Sequence, residues 1–509
     1  VMNPIMRLFK SLVLLALLLS SLNAQPKFNA DKLDSLINKI YNDFELSGLS
    51  IGILKDSTII FNKGYGYKEW NTDELVDTET LFGIASLSKA FTAASIGILV
   101  DQGKLDWNDR VIDYIPWFQL SDPYVTRELR VVDLLTHRAG FSTFDGDLLW
   151  YGTDYSREEI LKRFKEMPLK KSFRSEYGYS NIMFLAAGEV IEEVTGKSWD
   201  DFVTERIFIP LEMTSTNTST KQFTENSNVA YPHLGREKLD FLNYDNIGAA
   251  ASINSTSSDM LKWGMMWLNK GKYKGKVILT EKTVDRILSS YQAINVGNLS
   301  KINERHFLNT AMGWFLEDRN GRKIIHHSGG LIGYISRFAI VPEDNLSIIV
   351  LTNDEAYMIP PLMNHLFDLF AGNLKDEDYF ERSLNYFKGK EERESKRKKE
   401  LEENRAKETS PSQTIESFTG IYTDKMYGDA EIKIENDKLH LTLLPAKELF
   451  NAELNHWHFD TFSFKFADPF LPEGMITFET NKEGKISGFK IDLPNPDFHF
   501  YNLHFIKKD

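Results

Sequence analysis

The sequence predicts an α+β protein with two folded parts: an antiparallel sheet flanked by helices and carrying a helical insertion, then a small all-β barrel. Three observations lead to this prediction. Apolar, β-branched runs occur near both ends of a region spanning about residues 30–372, with mainly helical patterns between them. A run of mixed charge follows at 388–407. Beyond residue 413, short apolar runs alternate with turns, as in small closed barrels.

Composition limits the class of protein. The chain has 509 residues, 42% hydrophobic and 26% charged, which is enough for two or three domains and argues against global disorder. Its formal net charge of −13 argues against a nucleic-acid partner, because phosphate binding needs clustered Lys and Arg. The sequence contains no cysteine, which excludes disulfides, zinc thiolates and a thiol nucleophile.

The first 24 residues are typical of an export signal. Arg7 and Lys10 form a positively charged N-terminal region. Residues 11–19 form an apolar run, and residues 20–24 form a cleavage region that contains small residues. The apolar run is too short to span a bilayer comfortably. We therefore expect cleavage near Ala24, with an uncleaved anchor as the alternative. We also expect a periplasmic or secreted location in a bacterial envelope, and no membrane contact beyond this signal.

The region 25–372 is predicted as one domain. Two apolar runs around Lys55-Asp56-Ser57 predict a hairpin over residues 48–66. A helix is predicted from Ser86 to Gln102, with Gly103 as its stop. Further helices are predicted over 158–165, 182–195 and 258–270, and strands over 324–327, 334–341 and 346–352.

The remaining chain is predicted as a linker and a barrel. Residues 373–412 include the dense mixture of Glu, Lys and Arg, which predicts a solvated helix or an extended linker. Residues 413–509 form the barrel domain, with strands predicted over 431–434, 439–444, 461–466, 475–480 and 486–491.

Ser86 and Lys89 form the first candidate catalytic motif. Positions i and i+3 share a helix face, so the hydroxyl and the amine can meet. An inward lysine loses hydration, its pKa falls, and its neutral amine can accept the serine proton. The Ser-x-x-Lys pattern also occurs at Ser395 and Ser487, in the charged linker and the β domain, so the helical setting selects Ser86.

A competing nucleophile is Ser50 in Gly48-Leu49-Ser50-Ile51-Gly52, which matches the Gly-x-Ser-x-Gly elbow. That elbow needs a strand before the serine and a helix after it. Here a strand and hairpin follow Ser50, and no predicted strand precedes it. The pattern therefore favours Ser86.

Two further motifs follow in chain order. In Tyr179-Ser180-Asn181 the phenol can act as a phenolate or relay a proton, and the amide can hold a substrate carbonyl. In His327-Ser328-Gly329-Gly330 the glycines let a substrate backbone approach the strand edge, and the Gly330 amide can serve as an oxyanion donor. His327 can orient a proton or pair with a substrate carboxylate. The alternatives are a buried tyrosine with a capping asparagine, and a glycine-rich turn.

With these motifs, residues 30–372 resemble the serine β-lactamase and penicillin-binding superfamily, in its class C β-lactamase-related and D-aminopeptidase-like branch. Supporting matches are residues 134–140, 210–213, 313–314 and 350–353. The resemblance implies a β-lactamase/transpeptidase-like fold in which Ser86 is acylated and Lys89 and Tyr179 share the role of base. It also implies that the Ser86 and Gly330 amides form the oxyanion hole, and that His137 is structural.

One departure bears on activity. Class C β-lactamases usually carry Lys-Thr-Gly where this chain has His327-Ser328-Gly329. Histidine there resembles D-aminopeptidases, DD-peptidases and some esterases of the superfamily. We therefore expect an exported serine hydrolase acting on short peptides or esters. The alternatives are a β-lactamase and a non-catalytic sensor of peptidoglycan fragments or β-lactams.

The C-terminal region resembles the lipocalin-like β domain appended to some peptidases of this superfamily, with Phe418 to Tyr422 at its start. Such a domain covers the cleft, limits substrate length or joins subunits into a homo-oligomer. His456 and His458 lie on one strand face, which leaves zinc binding as an alternative to surface histidines. No His-Glu-x-x-His pattern occurs, and we expect no metal and no cofactor.

Overall fold

The computed structural model describes residues 28–224, 226–297, 305–355, 357–374 and 379–508. The predicted export signal therefore lies outside the described residues. Within them the chain forms an α+β domain built on one large sheet and a closed β-barrel, as the sequence predicts. None of the described helices is long and apolar enough to cross a membrane.

Eight antiparallel strands form the sheet. In chain order they are β1 (Gly48–Lys55), β2 (Thr58–Gly66), β3 (Gln292–Ala293), β4 (Leu308–Ala311), β5 (Trp314–Arg319), β6 (Arg322–Leu331), β7 (Tyr334–Val341) and β8 (Leu346–Thr352). Across the sheet the order is β2-β1-β8-β7-β6-β5-β4-β3. The predicted hairpin joins β1 and β2 through Asp56 and Ser57. Both have positive φ, as tight hairpin turns require.

Six longer helices accompany the sheet: α1 (Ala30–Asp43), α2 (Ser88–Asp101), α3 (Asn181–Thr195), α4 (Ser257–Leu268), α5 (Ile359–Ala371) and α6 (Tyr379–Glu403). Shorter helices are Pro123–Glu128, Val131–Leu134, Arg157–Arg163, Trp199–Val203, Gly248–Ala251 and Glu281–Ile287. Alternate residues of each strand face opposite sides. Ile348 and Val350 pack with α1 and α5, and Ile349 and Leu351 pack into the core that contains α4. The sheet is thus covered on both faces.

Helix α2 lies at the centre of the first domain. Every residue from Ser88 to Leu99 is buried, which is typical of a helix surrounded by protein. It begins at Ser88, two residues later than the sequence predicts. The chain enters α2 through a 3-10 turn over Ala85–Leu87. Ser86 therefore stands on a turn just before the helix.

The charged segment forms helix α6, one of the two forms that the sequence predicts for it. Its first residue, Tyr379, is buried and donates a hydrogen bond to Asp368 of α5. Just beyond its end, the Arg405 guanidinium lies 4.5 Å from the centre of the Trp457 ring in the barrel. The helix thus runs from the sheet domain to the barrel.

The barrel has eight antiparallel strands in chain order, closed by pairing of the first with the last. They are β9 (Gly420–Asp424), β10 (Gly428–Glu435), β11 (Lys438–Leu443), β12 (Asn451–His458), β13 (Thr461–Phe464), β14 (Gly474–Thr480), β15 (Ile486–Asp492) and β16 (Phe505–Lys507). In such a barrel the loops after odd-numbered strands emerge at one end. All four of these loops contact the helical part of the first domain.

Candidate active site

The turn that carries Ser86 is held in an unusual backbone conformation. Ala85 occupies the left-handed region, which costs an L-residue about 1–2 kcal/mol. Strand β7 supports the turn, because its Ser336 hydroxyl donates a hydrogen bond to Ile84 O at 2.9 Å. Ser86 is partly exposed, whereas the residues on either side of it are buried. Its hydroxyl is therefore presented to the cleft.

Lys89 lies directly behind Ser86, on the first turn of α2. Its Nζ is 3.0 Å from Ser86 Oγ, 2.6 Å from Asn181 Oδ1 and 3.0 Å from Ala250 O. The side chain is fully buried, so the amine is oriented entirely by protein groups. The first two predicted motifs are therefore brought together at one nitrogen atom.

Burial determines the protonation of this lysine. Loss of hydration lowers the pKa of Lys89 to about 7, and the nearby Asp147 carboxylate opposes that fall. A substantial fraction of the amine is thus neutral near pH 7. A neutral amine within hydrogen-bonding distance of a hydroxyl can accept its proton.

Asp147 is a site residue that no sequence motif predicts. Its Oδ2 accepts a hydrogen bond from Asn181 Nδ2 at 2.6 Å, so Asn181 bridges this carboxylate and Lys89. Burial raises the pKa of Asp147 to about 7. No local motif marks this residue. Its connection to Lys89 depends on the packing of a loop against α3.

Asn181 is not the helix cap that the alternative interpretation of its motif supposed. Ser180 is the N-cap of α3, and its hydroxyl accepts a hydrogen bond from the Met183 amide. The Asn181 side chain is therefore available to contact Lys89 and Asp147. The backbone just before it is also fixed, because the Ser180 amide donates to His137 Nδ1 at 3.1 Å.

The ring of Tyr179 lies against the amine of Lys89. The Lys89 Nζ is 4.8 Å from the ring centre, and the His137 ring stacks on Tyr179 with centroids 4.2 Å apart. Burial raises the pKa of Tyr179 well above 10, and the nearby Ser86 hydroxyl opposes the rise. The phenol is therefore protonated at neutral pH. Of the two roles open to Tyr179, proton relay is favoured over phenolate base.

The third motif lies on β6, with His327 facing the Tyr179 ring at a centroid distance of 6.1 Å. Its Nδ1 is 2.6 Å from Ser328 O and its Nε2 contacts no hydrogen-bonding atom among the described residues. Burial, reinforced by the charge of Lys89, lowers the pKa of His327 well below 6.5. The ring is neutral, so it offers a hydrogen bond but no positive charge for a substrate carboxylate.

The two glycines of this motif differ in position. A Cβ atom on Gly329 would lie 2.2 Å from Ile84 O, so this glycine lets β6 approach the turn that carries Ser86. A Cβ atom on Gly330 would meet only Ile335 Cδ1, at 3.6 Å. Ser328 and Gly330 line the cleft, as expected, whereas Gly329 faces the turn.

These groups open onto a cleft of about 370 Å³. Ser86, Tyr179, Asn181 and His327 line it. Phe470, Asp497 and Phe498, from two barrel loops, line it as well. The barrel thus forms part of the cleft wall.

The barrel is fixed to the helical region beside the cleft. The Tyr151 hydroxyl donates to Asp468 at 2.7 Å, and its ring stacks on Phe498 with centroids 4.0 Å apart. Asp145 accepts a hydrogen bond from Asn502 Nδ2 at 3.3 Å. The buried apolar core continues across this contact. The wall that the barrel supplies is therefore well anchored.

The competing motifs lie away from this arrangement. Ser50 is fully buried in β1, and its hydroxyl donates to Ser257 at 2.8 Å, so it cannot reach a substrate. His456 and His458 are separated by a β-bulge and hydrogen-bond Phe459 O and the Ala406 amide respectively. Among the described residues, no group of three or more His, Asp or Glu side chains is arranged to hold a metal ion.

Comparison with known proteins agrees with this fold. The Beta-lactamase family profile matches residues 33–365, and a domain of unknown function, DUF3471, matches residues 404–507. Protein flp of Staphylococcus aureus strain COL is 26% identical over 342 residues, covering 66% of this chain and 65% of its own length. Unguisins hydrolase ungD' of Aspergillus campestris is 28% identical over 358 residues, covering 65% and 64%.

Similar folds occur among solved structures. The octameric penicillin-binding protein homologue from Pyrococcus abyssi has a TM-score of 0.59 at 20% identity, covering 94% of this chain and 99% of its own. SurE has a TM-score of 0.55 at 16% identity with the same coverage. This chain thus spans about two thirds of the curated relatives and nearly all of the structural neighbours. Because this family profile covers about two thirds of the chain and the fold agrees with it, the protein belongs to the Beta-lactamase family.

Proposed function

We propose that this protein is an exported serine hydrolase that cleaves short peptides or esters through an acyl-enzyme on Ser86. The observation that carries the proposal is the 3.0 Å contact between Ser86 Oγ and a fully buried lysine amine whose pKa is near 7. A serine hydroxyl is a weak nucleophile until such a base takes its proton. The relative named as a hydrolase of unguisins supports hydrolytic activity.

In the acylation step, the neutral Lys89 amine accepts the Ser86 proton as Oγ bonds to the substrate carbonyl carbon. The carbonyl π electrons move to oxygen, where the Ser86 and Gly330 amides would stabilise the charge. When the tetrahedral intermediate collapses, the bond to the leaving group breaks. The proton passes from Lys89, with Tyr179 as relay, to the departing amine or alkoxide.

In the deacylation step, water replaces the leaving group. The neutral Lys89 amine takes a proton from water, and the resulting hydroxide attacks the ester carbonyl. Collapse of the second intermediate breaks the bond to Oγ, releases the carboxylic acid and returns the proton to Ser86. No other reactant is consumed.

Lys89 rather than Tyr179 is the base in this scheme. Burial lowers the pKa of the Lys89 amine to about 7 and raises the pKa of the Tyr179 phenol well above 10. The amine therefore loses its proton more easily, which favours Lys89 as the base. Asn181 holds the amine through a 2.6 Å contact and is itself fixed by Asp147, so both are positioning residues.

Efficient β-lactam hydrolysis is disfavoured in this proposal, because neutral His327 stands where class C enzymes carry a lysine.

Export to the periplasm or the medium is part of the proposal and is tested by the location and N-terminus of the mature protein. Homo-oligomer formation is a further part. The Pyrococcus abyssi homologue is octameric, and the mass of this protein in solution tests whether it also forms an oligomer.

A substrate screen tests the proposal as a whole. Purified protein and its Ser86→Ala variant are assayed with p-nitrophenyl esters, D- and L-aminoacyl anilides and nitrocefin. We expect ester or anilide hydrolysis that disappears in Ser86→Ala, with little nitrocefin turnover. Hydrolysis that survives the substitution would exclude Ser86 as nucleophile, and a burst without turnover would favour a sensor.

A further inference from the structure

A second cavity, of about 270 Å³, adjoins the cleft that holds Ser86. Tyr244, Leu331 and Ile332 line both cavities. Strand β6 leads from one to the other, because its Gly330 lines the first cavity and its last residue, Leu331, lines both. A group that starts beside Ser86 and follows the end of β6 is therefore directed toward the second cavity.

The second cavity has a largely apolar wall. Leu239, Phe241 and Leu242 form one part of it, and each of these side chains is only half-buried. Leu449 and Pro469, from two barrel loops, form another part. Half-buried apolar surface of this kind gains free energy when a ligand carbon chain covers it, in proportion to the area removed from water. The wall is thus suited to a hydrocarbon group.

The charges around the second cavity are mostly balanced within the protein. The charged residues that line it are Lys238, Asp240, Asp245 and Asp468. Lys238 is paired with Glu69 at 2.8 Å, and Asp245 with Lys221 at 3.0 Å. Asp468 accepts the hydrogen bond from the Tyr151 hydroxyl, and Asp240 is exposed. The cavity therefore favours an uncharged group.

The position of the proton relay indicates which part of a substrate points this way. Tyr179 must lie beside the leaving group in order to protonate it. Its ring is surrounded by those of His137, Phe144 and Phe315, with centroids 4.2, 5.4 and 6.4 Å away. None of these four residues, all in the described part of the chain, lines the second cavity. The leaving group is thus placed on the Tyr179 side, and the acyl group toward the end of β6.

We propose that the second cavity binds the distal part of a medium-length apolar acyl group, with Leu239, Phe241 and Leu242 as specificity-determining residues. The substrates are then esters or amides of uncharged fatty acids. Gly330 and Ile332 are two residues apart, roughly 7 Å in an extended chain, which a butyryl group is too short to span. This inference rests on the proposed function, since it names the substrate class of the same nucleophile.

A series of p-nitrophenyl esters tests the inference: the butyrate, hexanoate, octanoate and decanoate. Their leaving group is identical, and their acyl groups differ only in the number of methylene groups. Full burial of one methylene group corresponds to about a fourfold change in affinity. We expect kcat/KM to be at least about 15-fold higher for the octanoate than for the butyrate. Alkyl acetates whose alcohols are lengthened from butyl to octyl should show no comparable rise.

Substitutions of Leu242 locate the effect. Leu242→Trp puts a larger side chain into the second cavity and should lower the octanoate-to-butyrate ratio of kcat/KM by about 10-fold, while butyrate hydrolysis persists. Leu401→Trp, at an exposed position of α6, is the matched control and should leave this ratio unchanged. Leu242→Ala enlarges the cavity and should raise the decanoate-to-octanoate ratio by about threefold.

The outcomes separate the two proposals. Equal rates from butyrate to octanoate, a rise with the length of the alcohol instead, or the same ratio in Leu242→Trp and Leu401→Trp would overturn the inference while Ser86-dependent hydrolysis still stands. If Leu242→Trp loses butyrate hydrolysis as well, Leu242→Ala decides, and an unchanged decanoate-to-octanoate ratio overturns the inference. If none of the esters is hydrolysed in a Ser86-dependent way, the proposed function fails and the inference fails with it.

Discussion

At the scale of single residues, the site is a set of polar side chains held around one amine. Lys89 contacts Ser86, Asn181 and a backbone carbonyl, and Asn181 in turn contacts Asp147. Motif spacing and helical periodicity indicate Ser86, Lys89 and Asn181. They do not indicate Asp147, because that residue meets Asn181 only through tertiary packing.

Removal of the proposed nucleophile gives the first prediction. Ser86→Ala should lower kcat by at least ~10³, as in other enzymes that depend on an activated serine, because it removes the oxygen atom that would be acylated. The measurement is steady-state hydrolysis of a p-nitrophenyl ester. Circular dichroism controls for folding, and a loss of less than tenfold would mean that Ser86 is not the nucleophile.

The pH dependence gives the second prediction. Lys89 must be neutral to act as base and its pKa is about 7, so the rate should rise as the pH passes upward through about 7. The Asp147 charge opposes the fall of that pKa. Asp147→Asn should therefore move the rise to lower pH while the amide keeps a partner for Asn181.

Profiles of kcat/KM against pH for the two proteins check this prediction. Asp73→Asn, an exposed site outside the cleft, is the control and should leave the rise where it is in the unsubstituted protein. A shift of the Asp147→Asn profile to higher pH would show that the electrostatic assignment is reversed.

At the scale of secondary structure, local sequence patterns predict most helices and strands. They do not predict those elements whose bounds or burial depend on tertiary contacts. The β1–β2 hairpin and α3 agree with the sequence, because a turn and a terminal glycine mark their ends. Helix α2 begins two residues later than the sequence predicts, because a 3-10 turn over Ala85–Leu87 precedes it and no local pattern indicates that turn. Strands β4 and β5 were missed, because polar residues such as Thr310 and Glu317 are buried in them.

The approach of β6 to the Ser86 turn gives a prediction at this scale. Gly329→Ala would place a Cβ atom 2.2 Å from Ile84 O, and neither of these two backbone segments can move easily. We expect a loss of at least about 2 kcal/mol in unfolding free energy, in the range of overpacked cores, and reduced activity.

Thermal and urea unfolding measure this loss. Gly330→Ala is the matched comparison for stability, because its added Cβ would meet only Ile335 Cδ1 at 3.6 Å. Equal stability of the two variants would refute the role assigned to Gly329.

At the scale of the whole molecule, the barrel docks one end against the helical region and completes the cleft. The sequence predicted the barrel from its alternating strands but left open whether it covers the cleft. The position of the barrel could not be predicted, because no motif links Tyr151 with its partners Asp468 and Phe498. Each of these partners lies more than 300 residues after Tyr151 in the sequence.

The Tyr151 hydroxyl gives the prediction at this scale. Tyr151→Phe keeps the ring on Phe498 and removes the buried hydrogen bond to Asp468. A buried carboxylate left without this donor should cost about 1–3 kcal/mol and loosen the barrel. Hydrogen exchange of the 493–504 loop should rise in this variant, but not in Tyr124→Phe at an exposed position. Unchanged exchange in both variants would mean that the contact does not hold the barrel.

The most direct test of the mechanism is the mass of the protein after reaction with a fluorophosphonate probe, followed by peptide mapping. We predict one covalent adduct on Ser86, formed faster as the pH rises through about 7 and absent from Ser86→Ala. An adduct on another serine, or undiminished labelling of Ser86→Ala, would contradict the account.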